Sequence, residues 1–129
     1  MLVAVSIVTS QNWRRLLCAM TTSANTIATI SIVAYRPKPG KAAELDALTR
    51  EHVPYLQQQG LATDRTPVVA KSADGTVLEV FEWVPGGIEK AHHHEGVQAL
   101  WARYFAVCDF VPLKELPEAE QMFANFIPV

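Results

Sequence analysis

Four histidines stand out in this chain, because an imidazole titrates near neutral pH and so can act as a general base or acid. His52 falls in register with Leu45, Leu48 and Leu56 at spacings of three and four, which places it on the buried stripe of an amphipathic helix. Two readings of it stay open: a satisfied core histidine, or a base in the wall of a pocket between helix and sheet. The other three form the run His92-His93-His94, closed by Glu95. Consecutive helical residues point about 100° apart, so within the run only His92 and Glu95 have chelating spacing, and no metal is expected. If the helices carrying His52 and the run cover one sheet face, His92 or His94 can approach His52. That convergence makes His52, His92 and His94 the candidate catalytic residues. Trp83, Trp101 and Tyr104, with Phe81 and Phe105, offer flat walls for a planar aromatic ligand, or else ordinary core packing.

The elements that must position these residues follow from periodicity and from breakers. Ile27 to Tyr35 is rich in β-branched residues and is closed by Arg36-Pro37-Lys38-Pro39-Gly40, so a first strand is predicted there. Lys41 to Gln59 reads as the first helix, with Pro54 expected to bend or restart it near His52. Arg65 to Lys71 and Thr76 to Val84 read as strands joined through Ser72-Ala73-Asp74-Gly75, a tight hairpin signal. Ile88 to Asp109 reads as a second helix with a stripe of Val97, Leu100, Trp101, Tyr104 and Cys108, interrupted at Gly96. Glu120 to Val129 alternates loosely enough for a last strand.

This order, βαββαβ, predicts an α+β, ferredoxin-like fold: a four-stranded antiparallel sheet with two helices on one face. Strands one and three are apolar on both alternating faces, with Ile30 and Ile32 against Val33 and Tyr35, and Val80 and Val84 against Phe81 and Trp83. A sheet open to water alternates apolar and polar instead, so the helix-free face is expected to pack on a second copy in a two-fold homodimer. Glu82 is then a candidate carboxylate paired across that dimer.

The chain has 129 residues, half of them hydrophobic, with a net charge of -2. That length suits one domain and the charge offers no footprint for nucleic acid. No apolar run reaches the ~20 residues of a membrane span. Two distant cysteines, Cys18 and Cys108, read as free thiols of a cytoplasmic protein. In residues 1–26, Arg14 and Arg15 follow the apolar Met1 to Val8, the wrong order for a secretory signal. That stretch is expected to be a dispensable extension before a domain over 27–129, with residues 1–19 an upstream addition. Phosphate loops, dinucleotide fingerprints and nucleophile elbows are missing from the sequence.

Phe81-Glu82-Trp83, then Ala91-His92-His93-His94 and Val97-Gln98-Ala99-Leu100-Trp101, resemble the dimeric α+β barrel proteins of the antibiotic-biosynthesis-monooxygenase-like group. Tyr35-Arg36-Pro37-Lys38-Pro39-Gly40-Lys41, with Glu44 and Leu45 beyond it, is similar to that group as well, and the likeness extends from about Ile27 to the end. The group includes cofactor-free monooxygenases of polycyclic aromatics, haem-degrading enzymes, and small proteins without an established activity. The haem-degrading branch pairs an asparagine on the first strand with a tryptophan and an axial histidine on the second helix. Here the first strand has no asparagine and Trp101-Ala102-Arg103 stands at the axial position, so no cofactor is expected. The resemblance implies a small aromatic or quinone-like substrate oxidised without a cofactor. The other reading is a non-catalytic small-ligand-binding or assembly module of the same fold.

Overall fold

The computed structural model describes residues 27–129; the extension read in residues 1–26, Cys18 with it, lies outside them. Strand β1, Thr29–Pro37, is followed by helix α1, Ala42–Gln58, and by the hairpin of β2, Val68–Lys71, and β3, Val77–Trp83. Helices α2, Gly87–His92, and α3, Glu95–Val107, lead into β4, Cys108–Val111, two short 3-10 turns, and β5, Ile127–Pro128. All pairings are antiparallel, in the order β4-β1-β3-β2-β5. The chain is therefore α+β, with a five-stranded sheet.

The expected four strands are corrected at the C-terminal end. Strand β4, the neighbour of β1, arises from Cys108 and Asp109, expected to end the second helix, together with Phe110 and Val111 just beyond it. Its side chains alternate between the two faces of the sheet: Cys108 and Phe110 join the core beneath the helices, while Val111 packs on the other side. The stretch expected to form the last strand pairs with β2 only at its end, through Ile127, Pro128 and the Val129 N–H, which donates to the Val69 carbonyl at 3.0 Å, and Met122 and Phe123 are exposed. Strand β1 also passes through Arg36 to Pro37, pairing with Asp109 and Cys108. Proline is tolerated there because it ends the strand, where its missing N–H costs least.

The expected second helix is two. His92 ends α2, His93 follows it, and His94 caps α3 by accepting the Val97 N–H on its Nδ1 at 3.2 Å. The break lies at the histidines, ahead of Gly96, which is inside α3. Gly96 leaves room for the Tyr55 side chain, whose hydroxyl end would have to shift for a Cβ to fit there. Helix α1 runs unbroken through Pro54, with Leu45, Leu48, His52 and Leu56 buried as expected. Between β2 and β3, Gly75 adopts φ +89°, a conformation glycine adopts without the steric cost a Cβ would add.

Pleating sorts the central strands into two faces. Val33 and Tyr35 of β1 and Val77, Phe81 and Trp83 of β3 pack beneath the helices, while Ala34, Leu78, Val80 and Val111 pack on the opposite side with Leu116 and Phe126. The segment after β4 is tied across that opposite side, since the Glu118 carboxylate accepts from the Ser72 hydroxyl at 2.7 Å and the Ala73 N–H at 2.8 Å. No helix among the described residues is long and apolar enough to cross a membrane.

Candidate functional site

The helix-covered face carries one polar cluster in an otherwise apolar core. His52 on α1 is 3% exposed and Glu79 at the centre of β3 is fully buried. His52 Nδ1 lies 2.9 Å from Glu79 Oε1, and the Tyr35 hydroxyl donates to the same oxygen at 2.7 Å. From α3, the Trp101 indole N–H donates to His52 Nε2 at 3.2 Å. An indole nitrogen only donates, so Nε2 must hold a lone pair and the imidazole proton sits on Nδ1, directed at Glu79. Three elements thus set one tautomer: a helix supplies the ring, a strand the acceptor, a second helix the donor.

Aromatic rings enclose the cluster. Phe81 and Tyr104 meet the His52 ring edge-on, with centroids at 5.5 Å and 5.3 Å, and Tyr104 stacks on Tyr35 at 4.7 Å. Burial and then the Glu79 charge raise the Tyr35 phenol well above its ordinary value, and the same two causes raise Tyr104. Both phenols therefore remain donors, Tyr35 to Glu79 and Tyr104 to the Thr49 hydroxyl at 3.4 Å. Glu79 Oε2 is buried and has no hydrogen-bond partner.

Of the residues singled out in the sequence, His52, Trp101 and Tyr104 come together here. Trp83 is one ring removed, packed on Phe81 at 5.0 Å, with its indole N–H donating to Ser31 Oγ at 2.8 Å. His92 and His94 do not join. His52 contacts Glu79, Trp101, Phe81 and Tyr104, whereas His94, after its Nδ1 caps α3, directs Nε2 at Gln59 Oε1 at 3.0 Å. Because Nδ1 accepts, Nε2 carries the proton and donates it to Gln59. The His92 backbone carbonyl accepts from the Gln98 side chain, and its ring meets His93 at 5.1 Å. Capping an exposed helix junction explains His94 without a ligand. Among the described residues no group of three or more His, Cys, Asp or Glu could hold a metal ion.

Glu79 and Tyr35 are the members that the sequence reading missed as site residues. A signal for Glu79 existed: it alternates in phase with Val77, Phe81 and Trp83, which makes it an inward carboxyl on a core strand. Glu82, out of phase with it, pairs within its own chain, accepting from Thr63 Oγ1 at 2.8 Å and Arg65 Nε at 3.1 Å.

The helix-free face differs in kind. Ile30 and Ile32 on β1 are 51% and 49% exposed, and Val68 on β2 is also exposed. Beside them a groove of about 450 Å³ is lined by Ile32, Leu78, Val80, Leu113, Leu116 and Phe126. Compared with known proteins, the chain matches no family model, no curated protein and no solved structure. Its class is given by its own architecture: an α+β chain whose antiparallel sheet buries a histidine–carboxyl pair on one face and exposes apolar strands on the other.

Proposed function

We propose that this chain is a ferredoxin-like protein of the dimeric α+β barrel group. It oxidises a small aromatic or quinone-like substrate without a cofactor, with the His52–Glu79 pair as the base. The observation carrying this reading is the pair itself. A buried ionisable pair adds little stability over apolar side chains of equal volume, so a core that retains one, oriented by Tyr35 and Trp101, has a use for it beyond folding. The base removes a proton from an activated CH2 group, and the resulting carbanion reduces O2. One oxygen atom remains as the new carbonyl and the other leaves as water, which takes up both hydrogens of the CH2. Because His52 is 3% exposed, substrate reaches it only when the packing around the cluster opens. The test is oxygen uptake with a panel of anthrones and hydroquinones, comparing wild type with His52→Ala after folding is verified by circular dichroism. Loss of uptake in the variant is expected, and equal uptake removes His52 from the reaction.

A second reading, an assembly or binding module of the same fold, is favoured by the exposed Ile30, Ile32 and Val68 on the helix-free face and by the enclosure of His52 in the core, apart from His92 and His94. In both readings that face packs on a second copy, in the cytoplasm. Light scattering at micromolar concentration is expected to give a dimer, and a stable monomer overturns it.

A further inference from the structure

In the His52 cluster one buried polar side-chain atom is left without a partner. Trp101 occupies Nε2, the Nδ1 proton goes to Glu79 Oε1, and Tyr35 donates to that same oxygen. The only side-chain nitrogen or oxygen among the described residues that is buried and has no partner is Glu79 Oε2. An acceptor left unpaired in a core costs the desolvation of the group with no return, so its retention on a central strand calls for a donor. The donors already present are committed: the Tyr35 and Tyr104 phenols are held as O–H and point to Glu79 Oε1 and Thr49, and the Trp101 N–H points to His52.

We infer that Glu79 Oε2 is the atom that receives the ligand, and that the ligand is a neutral hydroxyaromatic, a phenol or enol, whose O–H donates to it. This deepens the reading above by naming the acceptor and the substrate class. The chemistry follows from the surroundings. Tyr35, Phe81 and Tyr104 put rings and no cation against the cluster, so nothing here compensates an anionic ligand beside the carboxylate, whereas a neutral one adds no second charge. In a proton transfer the ligand O–H bond breaks, its electron pair stays on the ligand oxygen, and the proton resides on Oε2; for an enol this gives the same anion as loss of the CH2 proton from its keto form. The hydrogen bonds of Tyr35 and His52 to Oε1 hold the carboxyl in place. Glu79 is thus the catalytic residue, and His52 a positioning residue that supports it from Nδ1.

Binding can be read without turnover, so this inference and the oxygenation reading fail separately. 1-Naphthol and its methyl ether, 1-methoxynaphthalene, share the ring and differ in the O–H. In the wild-type protein labelled with 13C and 15N, 1-naphthol is expected to bind at least ten times more tightly than the ether. It should also shift the Glu79 carboxyl carbon while leaving His52 protonated on Nδ1. Glu79→Gln should remove that preference, since its amide N–H2 cannot accept, and Tyr35→Phe, which takes a donor only from Oε1, should retain it. Equal affinity for the two compounds, failure of both to bind up to millimolar concentration, or an unmoved Glu79 signal in naphthol-bound wild type overturns the inference even if Glu79→Gln does not fold. Binding with the expected preference but without oxygen uptake would leave the inference standing and remove the oxygenase reading.

Discussion

The two faces of the sheet place opposite burdens on the fold. Beneath the helices, Glu79 and His52 are ionisable groups enclosed by Tyr35, Phe81, Trp101 and Tyr104, where removal from water works against stability unless every partner is present. On the other side, Ile30, Ile32 and Val68 remain in water, where apolar area works against the isolated chain. The same strands carry both, β1 presenting Tyr35 inward and Ile32 outward. One pleated layer thus separates a buried polar cluster from exposed apolar side chains.

The comparison breaks most visibly if the buried pair is removed one member at a time. His52→Leu leaves Glu79 without its nitrogen partner and is expected to cost about 3–5 kcal/mol, read by urea unfolding. The double variant His52→Leu with Glu79→Leu should recover most of that loss while oxygen uptake stays absent. A double variant as unstable as the single would show that the cluster is structural. On the opposite face, if the proposed dimer forms there, Ile32→Asp should weaken it on the order of 100-fold, seen as monomer by light scattering, with the fold retained. Gly96→Ala separates helix packing from both faces. The new methyl meets the Tyr55 hydroxyl, for a cost of about 1–3 kcal/mol in thermal unfolding, and adding Tyr55→Ala removes that clash.

Two smaller effects sharpen the contrast through pH. Burial, followed by the Asp109 charge, pushes the Cys108 thiol from 9.0 up to about 12. Folding thus favours the neutral thiol: this contribution is complete below 9.0 and is lost as pH rises through about 12. In a Cys18→Ser protein, Ellman's reagent in mildly alkaline buffer should therefore label Cys108 only after denaturant is added. Glu82, on the helix-free side of β3, is held below its ordinary range by hydrogen bonds from Thr63 and then Arg65. Its folded value being the lower one, its contribution is present at neutral pH and fades as pH falls through that depressed value. Carboxyl 13C titration should show Glu82 as depressed, and Arg65→Ala should return it part of the way.

Much of the frame was legible from local pattern. The stripe of Leu45, Leu48, His52 and Leu56, the turn at Asp74-Gly75 and the apolar alternation of β1 and β3 depend on periodicity alone, and each lies where the spacing placed it. The site was half legible: His52, Trp101 and Tyr104 were visible as residue types, while Glu79 lay unremarked inside a strand whose aromatic neighbours drew the attention.

The sequence by itself determined the element types up to β3, the burial of His52 and the two-sided apolar character of the sheet, because each is a local or periodic property of adjacent residues. Only the tertiary structure decided that Cys108–Val111 is a strand, since a short apolar stretch at a helix end is helical or extended according to whether an edge of β1 is open beside it. Only the tertiary structure brought Glu79 and Tyr35 to His52, 27 and 17 positions away along the chain, because antiparallel pairing of β1 with β3 beneath α1 sets which side chains meet. It also decided that His94 caps α3 instead of facing His52: a ring nitrogen at a helix start has an unpaired backbone N–H within reach, and that local bond takes the imidazole before any distant partner can.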